Sequence, residues 1–120
     1  MSYLDQAKAM YQMVGQGQMA EAFEKFYDEN VVMVEPNGDT TEGKNANRER
    51  EKKFSESVKE MHGGGVNGIT SNEEERITMV EAWMDITFQD GNRMKIEEVA
   101  VQKWNGDKIV HERFYFNMPG

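Results

Sequence analysis

The sequence predicts an α+β fold in which helices pack on one face of a mostly antiparallel sheet. Two helical stretches open the chain, a third follows a short strand, and three strand-like runs joined by hairpin signals fill the region after Arg76. At 120 residues the chain suits one domain spanning 1–120, large enough to bury about two thirds of the surface it exposes unfolded.

The first helix is predicted from "SYLDQAKAMYQMVGQG". Ser2 stands three residues before Asp5 in a capping-box-like start, and Leu4, Ala7, Met10, Tyr11 and Val14 share one helical face. Gly15 and Gly17 end it. A second helix reads from Gln18 to about Tyr27, with Met19, Ala22, Phe23 and Phe26 as its buried stripe. The β-branched run from Val31 to Glu35 predicts a strand.

Lys44 to Met61 predicts the third helix, with Ala46, Arg50, Phe54, Val58 and Met61 tracing a thin stripe. The four glycines of "HGGGVNGITSN" predict a bent or bulged strand. Strands follow at about Arg76 to Phe88, Arg93 to Trp104 and Lys108 to Asn117, with "QDGN" and "NGD" as the turns between them.

The net charge of −8 argues against a nucleic-acid or anionic-membrane partner, because both attract Lys- and Arg-rich surfaces. With no cysteine there is no disulfide framework and no thiol nucleophile. His62 and His111 lie far apart on different strands, so neither a metal nor another cofactor is expected. No leader or membrane span is legible, which points to a cytoplasmic protein. The charge runs "NREREKK" and "NEEER" read as solvated faces, and the ten methionines as adaptable core.

One stretch, "VEPNGDTTEG", puts a carboxylate at a strand end before a proline and a turn. Together with "EGKNA" and "NGDKIVHERFYF", it makes the chain resemble the nuclear transport factor 2-like superfamily, closest to its SnoaL-like group, whose relatives include ketosteroid isomerases and limonene epoxide hydrolases. The resemblance implies a cone-shaped α+β barrel, a curved sheet wrapped by about three N-terminal helices, that takes a small apolar molecule inside. It also implies a homodimer formed through the outer face of the sheet.

By the same resemblance, Glu35 occupies the position of the isomerases' proton-shuttling carboxylate, and Asp85 that of one carboxylate of the epoxide hydrolases. The isomerases' two donors to the enolate oxygen fall here on Met10, beside Tyr11, and on Ala100. The remaining hydrolase groups fall on Trp83 and Phe114. Glu35 is therefore the first candidate for a general base, with Asp85 and Glu112 as further catalytic carboxylates.

The resemblance turns Glu81, Trp83 and Asp85 inward, with Ile96, Glu98, Ala100, Gln102 and Trp104, and Glu112, Phe114 and Phe116. Tyr11, Trp83, Glu98, Gln102, Trp104, Phe114 and Phe116 then line the ligand site, and Val80, Ala82, Met84 and Ile86 form an apolar outer face. Hydrophobicity alone reverses that third-from-last strand run, burying Val80, Ala82, Met84 and Ile86 and exposing Glu81 and Asp85. Enclosed carboxylates would lose hydration and titrate nearer neutrality, as proton transfer requires. The function expected is either such proton transfer, of isomerase or cyclase type, or that of a non-catalytic dimeric ligand-binding or interaction module that has lost the family's catalytic groups.

Overall fold

The computed structural model describes residues 1–116, so Asn117, expected to end the last strand, lies outside the described residues. The order is α1 (Tyr3–Gly15), α2 (Met19–Phe26), β1 (Tyr27–Val34), β2 (Thr40–Glu42), α3 (Lys44–Ser57), β3 (Val58–Asn72), β4 (Ile77–Phe88), β5 (Arg93–Asn105) and β6 (Lys108–Phe116). They form one six-stranded sheet in the order β2-β1-β6-β5-β4-β3, antiparallel except where β1 runs parallel to β6.

Ser2 caps α1 as its position predicts, its hydroxyl accepting from the Asp5 N–H at 3.0 Å. Glu73, beyond the end of β3, accepts from the Tyr3 and Leu4 N–H groups and ties the helix start to the sheet. Ala7 and Met10 of α1 pack with Ala22, Phe23 and Phe26 of α2 against Tyr27, Val31, Met33, Trp104 and Ile109. Trp104 meets Phe26 edge-on at 6.2 Å and Tyr3 at 6.2 Å. Burying each large apolar side chain here contributes about 1.5–3 kcal/mol.

Several boundaries move. β1 begins at Tyr27, directly on the end of α2, because the parallel partner β6 extends its pairing to Ile109. The short β2, which has no hydrophobic signature, exists through its pairing to β1. α3 stops at Ser57, four residues early, because Val58 to Met61 pair with β4 instead. Three register shifts interrupt the β3–β4 ladder, which is the bending that the glycines predicted.

α3 is held over the sheet by polar groups at its start. Gly43 sits at φ 91°, which a side chain would strain, and its N–H donates to Val31 O. The buried Asn47 amide donates to Thr41 O at 3.0 Å and Gly43 O at 2.8 Å, while Lys44 Nζ donates to Glu24 O at 2.9 Å. Helical spacing then carries Asn47, Arg50, Glu51 and Phe54 toward the sheet.

The parity of β4 corrects the inward set. Thr78 pairs with Gln102, Val80 with Ala100 and Ala82 with Glu98, so the even-numbered residues of β4 share the concave face with the even-numbered residues of β5. Thr78, Val80 and Ile86 are buried there. Trp83, expected in the ligand site, and Asp85, expected as an inward catalytic carboxylate, stand with Glu81 on the outer face. Leaving those carboxylates hydrated avoids a desolvation cost that burying Val80 and Ile86 does not incur. Trp83 lies across Gly63 and Gly65, where a Cβ on Gly65 would meet its indole nitrogen at 2.9 Å, and beneath Lys95. Asp85 takes two hydrogen bonds from Arg93, at 3.0 and 2.9 Å.

This parity predicts opposite outcomes for neighbouring residues. Ile86→Ala should cost about 2–5 kcal/mol in urea unfolding, whereas Glu81→Ala should stay within about 0.5 kcal/mol; equal losses would contradict the register.

Candidate functional site

The concave face gathers polar side chains from five elements. Glu112 of β6, 1% exposed, lies beside Gln102 of β5, its cross-strand partner. The Gln102 amide donates to Glu112 Oε2 at 2.7 Å and to the Tyr11 hydroxyl of α1 at 3.2 Å. Tyr27, at the start of β1, donates its hydroxyl hydrogen to Glu112 Oε1. On the other side Thr78 Oγ1 donates to Gln102 Oε1 at 2.6 Å and accepts from the Trp104 indole at 2.8 Å. A buried carboxylate is tolerated because both of its oxygens have donors.

Glu98 differs. It occupies the same face of β5, yet among the described residues no side chain donates to it. Burial pushes its carboxyl up to about 7, with the Glu51 charge adding and the Arg50 charge opposing. Burial also raises Glu112 to about 7, against the pull of the Tyr27 and Gln102 donors. Glu51 is raised by burial and restrained by Arg50. Burial and then the Glu112 and Glu98 charges raise the Tyr11 phenol, which is a neutral donor or acceptor near neutrality.

Arg50 closes this arrangement from α3. Its Nη1 meets Glu35 Oε1 at 3.4 Å, its Nη2 meets Glu51 Oε1 at 3.3 Å, and its guanidinium lies 5.8 Å from the centre of the Phe114 ring. The three charged side chains are each about a third exposed, so they mark where the concavity reaches water. Glu35 is thus at the mouth, at the end of β1, paired with a cation.

Of the expected residues, the structure brings together Glu35, Glu98, Gln102, Glu112, Tyr11 and Phe114 on or over one face. Phe116 pairs with Glu98 at its rim, and Trp104 belongs to the apolar core behind Thr78. Trp83 and Asp85 are excluded by the β4 parity. Sequence reasoning missed Tyr27, Thr78, Arg50 and Glu51. The last two fall within a charge run whose pattern reads as a solvated face, although Arg50 lies in the predicted inner stripe. Among the described residues no cluster of His, Cys, Asp and Glu has the arrangement of a metal site, and no helix is long and apolar enough to cross a membrane. Open grooves run instead along the outer face, past Gly68, Met79, Glu81 and Val99. Among the described residues, the buried Thr78, Gln102 and Glu112 all lie on the concave side.

A helix-wrapped curved sheet with polar groups converging inside its cone defines the nuclear transport factor 2-like class. Residues 1–116 match the SnoaL-like domain model, and the chain belongs to that family. A candidate SnoaL-like polyketide cyclase from Mesorhizobium loti is 28% identical, with a TM-score of 0.86 over 96% of this chain and 99% of that one. A candidate isomerase from Bacillus subtilis shares the fold at 18% identity and a TM-score of 0.82, covering 98% and 90%. A ketosteroid isomerase-like protein from Catenulispora acidiphila, solved in complex with trimethylamine, shares it at 11% and 0.74, covering 92% and 84%. No curated protein matches the chain.

The raised carboxyls set a pH dependence. Glu98 and Glu112 ionise near 4.5 ordinarily and near 7 in the folded chain, so between those values the folded state holds more protons than the unfolded state. Stability should fall as pH climbs from about 4.5 through about 7, then level off, by up to about 3 kcal/mol per group. In urea unfolding at pH 5 and pH 8, Glu98→Gln should shrink that fall and exceed the parent's stability at pH 8. An unchanged difference would contradict the burial of Glu98.

Proposed function

We propose that the chain binds a small apolar, oxygen-bearing molecule in the cone and moves a proton at the carbon beside that oxygen, as an isomerase or cyclase does, without a cofactor. Glu98 carries this reading: it is a carboxylate on the concave face, without a donor among the described residues, raised to about 7 by burial. Such a group can take a proton from carbon and return it near neutral pH. Entry at the mouth requires Arg50 to swing from its pairs with Glu35 and Glu51. The displaced guanidinium, with the Tyr11 hydroxyl, is then placed to stabilise the enolate oxygen that the missing donors at Met10 and Ala100 leave unattended.

The resemblance assigns proton transfer to Glu35. In the proposed mechanism Glu35 holds Arg50 while Glu98 acts as base, Glu112 anchors Gln102, and Phe114 and Phe116 give the ligand apolar contact. Deuterium exchange at carbon, followed by NMR on a panel of lipophilic ketones and lactones, separates the two assignments. Glu98→Gln should slow exchange by about 100-fold or more, while Glu35→Gln should mainly raise KM. The reverse pattern would return the base to Glu35.

A second reading, a binding module without chemistry, is supported by charge. Glu35, Glu51 and Glu98 face the guanidinium of Arg50 beside aromatic rings, an excess of carboxyls that suits a small organic cation; the Catenulispora relative was solved with trimethylamine. Calorimetric binding of trimethylammonium, together with no exchange on any ketone, would favour it.

The same proposal includes a homodimer and a cytoplasmic setting. The β4 residues expected to form the interface face the inside of the cone, Val80 and Ile86 fully buried there, but Met79, Val99 and Tyr115 remain well exposed on the outer face. Light scattering should give twice the chain mass, and Met79→Glu should halve it; a monomeric parent protein would contradict the dimer.

A further inference from the structure

We infer that Thr78 is a positioning residue: with Trp104 it sets the direction of a buried hydrogen-bond chain through Gln102, leaving Tyr11 to offer its hydroxyl hydrogen to the molecule bound in the cone. The part concerning the bound molecule rests on the function proposed above. The direction of the chain does not.

The direction follows from what each group is able to donate. An indole N–H only donates, and that of Trp104 goes to Thr78 Oγ1 at 2.8 Å. Thr78 has one hydroxyl hydrogen, and Gln102 Oε1, 2.6 Å away, takes it. The Gln102 NH2 group therefore faces the other way, donating to Glu112 Oε2 at 2.7 Å and to the Tyr11 oxygen at 3.2 Å. With Glu112 ionised, reversing the amide would set its oxygen against the carboxylate, acceptor against acceptor. Thr78 and Gln102 are 0% exposed and Glu112 1%, so water would not relieve the clash.

Tyr11 is thus an acceptor toward Gln102, and its own hydrogen stays unspent. Among the described residues no group accepts it. Tyr27 satisfies the other Glu112 oxygen, so the carboxylate makes no second demand on Gln102. Thr78 lies behind Gln102 on β4 and acts through it. Its effect on a ligand is indirect, and Tyr11 is the group that touches.

NMR without any ligand, at pH 8 or above where Glu112 is ionised, tests the direction. With side-chain amides labelled with ¹⁵N and tyrosine Cζ with ¹³C, the parent protein should show contacts from the Gln102 amide hydrogens to the Tyr11 ring. Thr78→Val should move the Tyr11 Cζ resonance and speed exchange of those amide hydrogens about tenfold or more, and Thr78→Ser should restore both. Unchanged spectra in Thr78→Val, or a folded Thr78→Ser that restores neither, would overturn the inference. Should Thr78→Val fail to fold, the parent spectrum decides, since a Tyr11 hydroxyl found donating to Gln102 Oε1 overturns it equally. Acetophenone labelled with ¹³C at its carbonyl then probes the ligand end. A carbonyl shift on binding that is lost alike in Tyr11→Phe and Thr78→Val supports the donor role, and its survival in both contradicts that role. A ketone that does not bind the parent protein counts against the proposed function, with the chain's direction judged by the ligand-free spectra.

Discussion

The Glu112 carboxylate, buried in the sheet and held by two donors, is the constraint on which the rest of the concave face depends. A charge taken out of water needs hydrogen bonds from groups that are themselves fixed. Tyr27 supplies one from the start of β1 and Gln102 supplies the other from β5. Gln102 points correctly only because Thr78 occupies its oxygen, and Thr78 reaches it only in the register that pairs Thr78 with Gln102 and Val80 with Ala100. A slip of one residue on β4 would put Met79 where Thr78 stands and leave the Gln102 oxygen and the Trp104 indole unpaired. Sheet register and site geometry are therefore one requirement.

The cost of that polar floor is offset nearby. Directly behind Thr78, Trp104 joins the cluster of Phe26, Tyr27, Met33 and Ile109, which contributes apolar burial where the network contributes little. α3 makes the opposite exchange, presenting Asn47, Arg50 and Glu51 to the sheet. Its start is tied by hydrogen bonds to β1, β2 and α2, and only Phe54, packed on Phe88 at 6.4 Å, provides a large apolar anchor along its face. A helix held at its start and lightly packed along its face can release Arg50 without loss of the core.

The architecture was largely legible, because it rests on local signals: the Ser2 cap, the Gly15 and Gly17 stop, the two hairpin turns, and the glycines whose strand does bend. The inward residues of β5 and β6 were legible too, since Glu98, Gln102 and Glu112 lie on strands whose alternation agrees with the family. β4 was not, because resemblance and hydrophobicity disagreed about it, and hydrophobicity prevailed. Arg50 and Glu51 were illegible for a different reason. A helix whose inner face is charged has the same sequence pattern as a solvated helix until the sheet beneath it is known. Tyr27 was hidden at a helix end, and its role depends on the parallel pairing of β1 with β6, which joins the first strand to the last.

Burial in the cone raises the proton affinity of Glu98 and Glu112 into the range where proton transfer at neutral pH becomes feasible. Carboxyl ¹³C NMR of the glutamates, followed from pH 3 to pH 9 in the intact protein, tests it directly. The Glu98 and Glu112 resonances should both titrate at about 7, apart from the surface glutamates. Midpoints at 4.5 for both would contradict it.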